Sequence, residues 1–291
     1  KEAFHSPEIK KIIFSKNSQL KIIGIYAFEH AAIKDIYIPS TVTKICYGAF
    51  AFCGNLQKID IPQDSNLQTI ENEAFKFTEI DSIFLPEKLI ELKDGWCNCA
   101  NSLTKIIVST KNDRFSFKEN KYLVGKSDIK SDVYDNLCFV KSDIKYAFIP
   151  SFIKIIAPFS FNSCRKLEKI EFDVDSQLEL IDDHAFESSN IKCLEIPSNV
   201  KKIGLRAFPN TINLKKFVIS DNSKLKSIGE LAFLGCGIES FWIPQNVTSV
   251  GNRAFCPCKK LQIIQFPNNF DLLSVKNAMI KYDGIILIPF K

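Results

Sequence analysis

The sequence predicts an all-β stacked solenoid, and three observations lead there. First, an anchor Phe, usually preceded by Ala, recurs at Phe4, Phe28, Phe50, Phe75, Phe161, Phe186, Phe208, Phe233 and Phe255. Second, short intervals of 22 residues alternate with long ones of 24 or 25, so that Phe28 to Phe75, Phe161 to Phe208, Phe186 to Phe233 and Phe208 to Phe255 each span 47 residues. Third, seven units carry a Pro at a matching slot: Pro39, Pro62, Pro86, Pro150, Pro197, Pro244 and Pro267. A fixed period of this length marks repeats that cannot bury an apolar face alone and do so by stacking.

The short unit from Ile33 to Phe50 justifies each element in turn, and its copies run Ile144 to Phe161, Ile191 to Phe208 and Ile238 to Phe255. Ile36-x-Ile38 alternates with period 2, which reads as a short strand with one buried face. Pro39 has no N–H for a ladder and ends that strand. Val42 and Ile45 follow at intervals of three, as suits a turn-like or extended back wall. Ala49 is small enough for close approach of the next coil, and Phe50 fills the core. Long units add polar turns such as Asp64-Ser65-Asn66 and Asp175-Ser176-Gln177, where short polar side chains bond their own backbone.

The same register exposes two irregularities. Counting 22 from Phe75 lands on Cys97, so Trp96-Cys97 replaces Ala-Phe; counting back 22 from Phe161 lands on Phe139. The surplus falls at about 115–136, where Phe115-Ser116-Phe117 and Tyr122-Leu123-Val124 predict a hairpin projecting from the stack. Eleven strands follow, centred on Ile12, Ile36, Ile59, Ile83, Ile106, Ala147, Ile170, Leu194, Phe217, Phe241 and Ile264. At ~4.8 Å per strand they would make one parallel sheet roughly 50 Å long, backed by an irregular wall. The expected organisation is a single solenoid domain over 1–291, with a C-terminal cap at about 268–291.

The composition narrows function mostly by exclusion. The 291 residues are 46% hydrophobic and 24% charged, with 25 Phe, 2 Trp and 7 Tyr. A formal charge of +5 from 38 basic and 33 acidic residues, without a basic run, argues against nucleic acid as partner. No apolar stretch reaches the ~20 residues of a membrane span, so no membrane insertion is expected. The chain opens at Lys1 without Met or signal peptide, as a mature product or an excised piece would.

Catalytic signals are absent. His5, His30 and His184 lie in unrelated units, and no phosphate loop, nucleophile elbow or zinc-protease motif occurs. Asp182-Asp183 sits in a variable turn and reads as a solvated pair. Of the ten cysteines, Cys53, Cys164, Cys236 and Cys258 each follow an anchor by three residues, which reads as a packing column; disulfides stay open. Cys97-x-Cys99 and Cys256-x-Cys258 lack the usual zinc spacer. The expectation is therefore no enzyme, no cofactor and no metal. Asn246-Val247-Thr248 is a glycan sequon, although Val247 occupies a core slot.

The strand pattern makes the sharpest functional statement. With Ile36 and Ile38 inward, Tyr37 points outward, and the same slot runs through Asp60, Phe84, Ile107, Phe148, Glu171, Glu195 and Trp242. A column that met only water would be polar, whereas this one mixes aromatics with charges, the composition of a binding face. The competing reading is that lysine stems or the inserted hairpin cover these side chains.

The pattern Ile-x-x-Ile-x-Ile-Pro-x-x-Val-x-x-Ile-Gly-x-x-Ala-Phe-x-x-Cys resembles the BspA-like leucine-rich repeat family over about Phe4 to Pro267. Leu194 to Phe208 and Phe241 to Phe255 are especially close, while Trp96-Cys97 and Cys46, where the motif has Gly, depart from it. The resemblance implies a leucine-rich-repeat solenoid that binds a protein or glycoprotein ligand, as a cell-surface or secreted adhesin for host cells, matrix or bacteria. Its Lys-, Ile-, Asn- and Phe-rich usage is similar to protist members of the Trichomonas and Entamoeba type. The alternative is an intracellular, cytoplasmic protein-interaction scaffold using the same face.

Overall fold

The computed structural model describes residues 4, 6–15, 17–279 and 284–290; His5 and part of the expected C-terminal cap lie outside them. The chain is a β-solenoid whose contacts fall into two compact units, Lys1–Tyr134 and Asp135–Lys291.

In the N-terminal unit the alternating segments become the parallel strands Asp35–Tyr37, Lys58–Asp60, Ser82–Leu85 and Lys105–Val108, neighbours in sequence order. In the C-terminal unit Tyr146–Ile149, Lys169–Phe172, Cys193–Glu195 and Lys216–Val218 form the equivalent sheet. Ser240–Trp242, Ile263–Pro267 and Ile286–Phe290 pair in parallel beside one another in that unit. Ten of the expected strand centres are thus strands, whereas the described residues around Ile12 are not assigned to one.

The back wall is more regular than expected. The Lys44–Ile45 slot pairs with Ile22–Ile23 and Thr69–Ile70, and Glu91–Leu92 continues the row. The C-terminal unit has a matching ladder through Ile155–Ile156, Leu180–Ile181, Lys202–Ile203, Ser227–Ile228 and Ser249–Val250. A regular coil therefore contributes two strands, one on each ladder, as Asp35–Tyr37 and Lys44–Ile45 do. Extended backbone at equal height in every coil leaves its N–H and C=O groups facing those of the next, and pairing satisfies them.

The anchors form the core. Phe28, Phe50 and Phe75 stack at 5.3 and 5.5 Å. In the C-terminal unit Phe161, Phe186, Phe208, Phe233 and Phe255 stack at 4.7, 4.9, 5.2 and 5.5 Å. Backbone pairing holds each ring in line: Phe50 N–H donates to Ala74 O at 2.8 Å and Phe208 N–H to Ala232 O at 2.7 Å. The helix Leu272–Asn277 is capped by Asp271, whose carboxylate accepts the N–H groups of Leu273 and Ser274. Phe255 N–H donates to Ala278 O just beyond that helix, so the last anchor is closed by helix backbone in place of another Ala-Phe corner.

One irregularity is as expected, and two expectations change. Trp96 occupies the Ala slot, since Phe75 N–H donates to its carbonyl at 2.8 Å; its buried indole meets Phe75 edge-on at 6.3 Å and fills the space that Cys97 leaves. The anchor before Phe161 is Val140, not Phe139. Val140 N–H donates to Ser160 O, the Ala-slot carbonyl, and Val140 is 1% exposed whereas Phe139 is only half-buried. The cause is local: Asn136–Val140 runs as an extended strand where other coils turn a corner, and an extended chain covers the distance in fewer residues.

The inserted hairpin exists, with Phe115–Lys118 antiparallel to Tyr122–Gly125, but it does not project. Tyr122, Leu123 and Val124 are all buried. Asn112 fixes it to the coil below: its amide donates to Pro86 O and Leu89 O, and its Oδ1 accepts from Arg114 N–H and Phe115 N–H. A strand buried on both faces needs no period-2 alternation, which is why Tyr122-Leu123-Val124 is apolar throughout.

Candidate functional site

The sheet faces carry the outward column that the alternation predicts. In the N-terminal unit Tyr37 lies opposite Asp60, and Phe84 opposite Ile107, on adjacent strands. Tyr37 is 43% and Ile107 45% exposed, so the hairpin leaves Ile107 open to solvent. Phe84 is half-buried between buried Ile83 and Leu85. In the C-terminal unit Phe148, 40% exposed, is in register with Glu171, and exposed Glu195 with Val218. Trp242 belongs to the three-stranded sheet and is half-buried, because Phe290 of the closing strand stacks on it at 5.9 Å.

Electrostatics on this face is local. Glu171 pairs with Lys169 and accepts the Tyr146 hydroxyl; these two contacts, Lys169 first, hold its carboxyl below the usual carboxylate range. Cys193, an exposed thiol, lies in register between Lys169 and Lys216.

The groups with catalytic potential are engaged elsewhere. His184 stacks on Phe159 at 4.7 Å and its Nδ1 meets Glu187 Oε2 at 3.0 Å. Asp182 and Asp183 are half-buried and not simply solvated: Asp183 Oδ1 accepts Leu205 N–H from the next coil at 2.7 Å. Burial raises the Asp182 carboxyl above its ordinary value. No group of His, Cys, Asp and Glu is placed to hold a metal ion among the described residues. The sequon nitrogen is also occupied, with Asn246 Nδ2 donating to Ser223 O at 2.7 Å. Asn66 and Asn199 make the same inter-coil bond to Ser40 O and Ser176 O.

The column cysteines are buried, and each thiol points at a carbonyl of the preceding coil: Cys53 at Phe28 O and Cys258 at Phe233 O, both 3.0 Å, and, more distantly, Cys164 at Val140 O and Cys236 at Leu214 O. Burial pushes the Cys53 thiol from 9.0 to about 12, and raises Cys164, Cys236 and Cys258 as well. Native alkylation at about pH 8 is therefore expected to label Cys193 first and to leave these four unlabelled until unfolding, read by mass spectrometry. Early labelling of Cys53 would contradict the packing. Because the folded value is raised, the stabilisation from Cys53 is complete below pH 9.0 and is lost as pH climbs toward about 12.

One surface feature escaped the strand-based reading. Two residues after seven of the anchors the backbone is left-handed, at His30, Phe52 and Phe77 in one unit and at Ser163, Ser188, Asn210 and Gly235 in the other. His30 stacks on Phe52 at 4.9 Å, and Phe52 on Phe77 at 5.2 Å, with both phenylalanines over a third exposed. Bulky side chains with positive φ cost about 1–2 kcal/mol each. The signal was present in the sequence as Phe at a slot that elsewhere holds Ser, Asn or Gly.

Comparison with known proteins agrees with this geometry. Residues 1–123 and 133–262 match the sequence model of the BspA type leucine rich repeat region, in six copies. No curated relative matches the chain. Among solved structures, the pneumococcal vaccine antigen PcpA is 21% identical with a TM-score of 0.67, covering 97% of this chain and 74% of its own. A leucine-rich repeat protein from Eubacterium ventriosum is 23% identical with a TM-score of 0.69, over 85% and 70%. A leucine rich cell surface protein from Faecalibacterium prausnitzii is 20% identical with a TM-score of 0.66, over 98% and 74%.

Proposed function

The chain belongs to the BspA-type leucine-rich repeat family, and on that premise we propose that it is a non-catalytic adhesion module, displayed at a cell surface or secreted. The fold is that of a protein-interaction module, and no helix among the described residues is long and apolar enough to cross a membrane. The proposed ligand is a protein or glycoprotein of host cells, matrix or bacteria, held on the sheet faces. The observation that carries this reading is the exposure of Tyr37 and Ile107 on the N-terminal sheet that also holds Asp60, and of Phe148 on the C-terminal sheet that also holds Glu195. Apolar anchors flanked by charges are what a partner buries at the centre of an interface. That one structural neighbour is a cell surface protein and another a vaccine antigen agrees with the surface location.

The test replaces Tyr37, Ile107 and Phe148 together by Ser. Capture of the fluorescent chain by purified extracellular matrix, cultured epithelial cells or bacterial cells should fall at least about tenfold, the loss expected from truncating central anchors. Folding should persist, because none of the three is in the core. Undiminished capture by all three surfaces would sink the sheet-face reading.

A second reading, a cytoplasmic scaffold, draws on one observation: Cys53, Cys164, Cys236 and Cys258 are buried thiols without a disulfide, the state that a reducing compartment maintains.

A further inference from the structure

We propose that a groove in the C-terminal unit, at the carboxyl ends of Lys169–Phe172 and Cys193–Glu195, receives a Lys- or Arg-bearing extended segment of the partner protein. This rests on the sheet-face reading and names the chemistry of the partner. The groove has a volume of about 750 Å³, which falls within the roughly 300–1,000 Å³ of ordinary ligand sites. Its charged lining is Glu171, Asp173, Asp175 and Glu195 against Lys169, four carboxylates and one ammonium, or a formal −3. The whole chain carries +5, so the groove reverses the sign of the molecule locally. Complementarity of that kind selects and steers a cationic partner.

Lys169 does not neutralise the site evenly, because it is paired with Glu171. Asp173, Asp175 and Glu195 remain to face an incoming cation. The lining also contains Ser198, Asn199 and Asn222, and a guanidinium or ammonium supplies several N–H donors at once for polar groups and carboxylates of this kind. Between the two turn carboxylates stands Val174, 97% exposed, an apolar contact for the side chains that alternate with basic ones along an extended peptide. A small polycation would make no use of it.

The experiment measures fluorescence anisotropy of a labelled peptide of alternating Arg and Val on the intact chain, with a Glu-for-Arg peptide and spermidine as comparisons. The Arg peptide should bind and the Glu peptide should not. The double variant Asp175→Asn, Glu195→Gln should weaken binding about tenfold or more, as loss of complementary charges does. Glu179→Gln, which neutralises an exposed carboxylate paired with Lys201 outside the groove, should leave binding intact. Equal affinity for the double variant, no binding of the Arg peptide, or full displacement by spermidine at similar affinity would each overturn the proposal. The two readings fail separately. If the peptide does not bind while surface capture still depends on Tyr37, Ile107 and Phe148, the groove proposal falls alone. If the peptide binds through Asp175 and Glu195 while capture ignores the sheet-face anchors, the adhesion reading falls alone.

Discussion

Replacing Phe208 by Ala is expected to remove about 3–5 kcal/mol of stability from the C-terminal unit. Phe208 is completely buried and touches three aromatic neighbours: Phe186 and Phe233 stack on its faces at 4.9 and 5.2 Å, and Phe217 meets its edge at 5.2 Å; Ala232, whose carbonyl accepts its N–H, closes the coil above. The loss has two parts, the apolar area returned to water and the cavity that flat neighbouring rings cannot close. In a stacked array each coil draws its stability from its neighbours. Amide exchange should therefore accelerate at Phe186 and Phe233 as well as at the altered coil. Urea denaturation followed by circular dichroism gives the magnitude. A loss below about 1 kcal/mol would mean that the stack repacks freely, and that the column is not the core.

The second large effect concerns a residue with no side chain. Gly204, Gly229 and Gly251 recur four residues before an anchor, and a Cβ on Gly229 would stand 2.4 Å from the backbone carbon and oxygen of Gly204. The obstructing atoms belong to main chain, so relief requires the coils to separate. Gly229→Val should cost about 1–3 kcal/mol or more, the range for overpacking, and should lower the unfolding midpoint in the same urea titration. Gly54 offers the contrast, since a Cβ there would meet nothing within 4 Å. Gly54→Ala should be neutral or stabilise by about 0.4–1 kcal/mol through the unfolded chain. Equal effects at the two glycines would remove close coil approach as the explanation.

These two residues also show how far the repeat pattern reached. A Phe every 22 to 25 residues is visible because burial of a large ring is a side-chain property, written in the residue type. The glycine slot is partly visible for the same reason, although Cys46 and Asp182 stand in it in other coils. Strand faces were legible because period 2 assigns each side chain a direction without further information. That is why Tyr37, Ile107 and Phe148 emerge exposed while Ile36, Ile106 and Ala147 are buried.

Where counting replaced chemistry, the reading slipped. The count of 22 back from Phe161 chose Phe139, a residue of the right type, over Val140. It assumed a full corner in a coil that runs extended instead. Trp96 is the converse: counting placed it correctly in the Ala slot, but only the structure puts its buried indole edge-on against Phe75. The hairpin was located by surplus length, but its burial depended on what surrounds it, which period and composition do not encode.

The sequence by itself determined the repeat, the two-sided strands, the Phe column and the list of outward residues, because each of these is a short-range pattern of side-chain type. Only the tertiary structure decided that the back wall is a second ladder, that Phe290 covers Trp242, and that Glu171, Asp173, Asp175 and Glu195 line one groove. Those facts depend on which backbone groups and side chains meet across coils more than 20 residues apart. Such meetings are set by the stacking distance and the shape of the turns, and not by any residue alone.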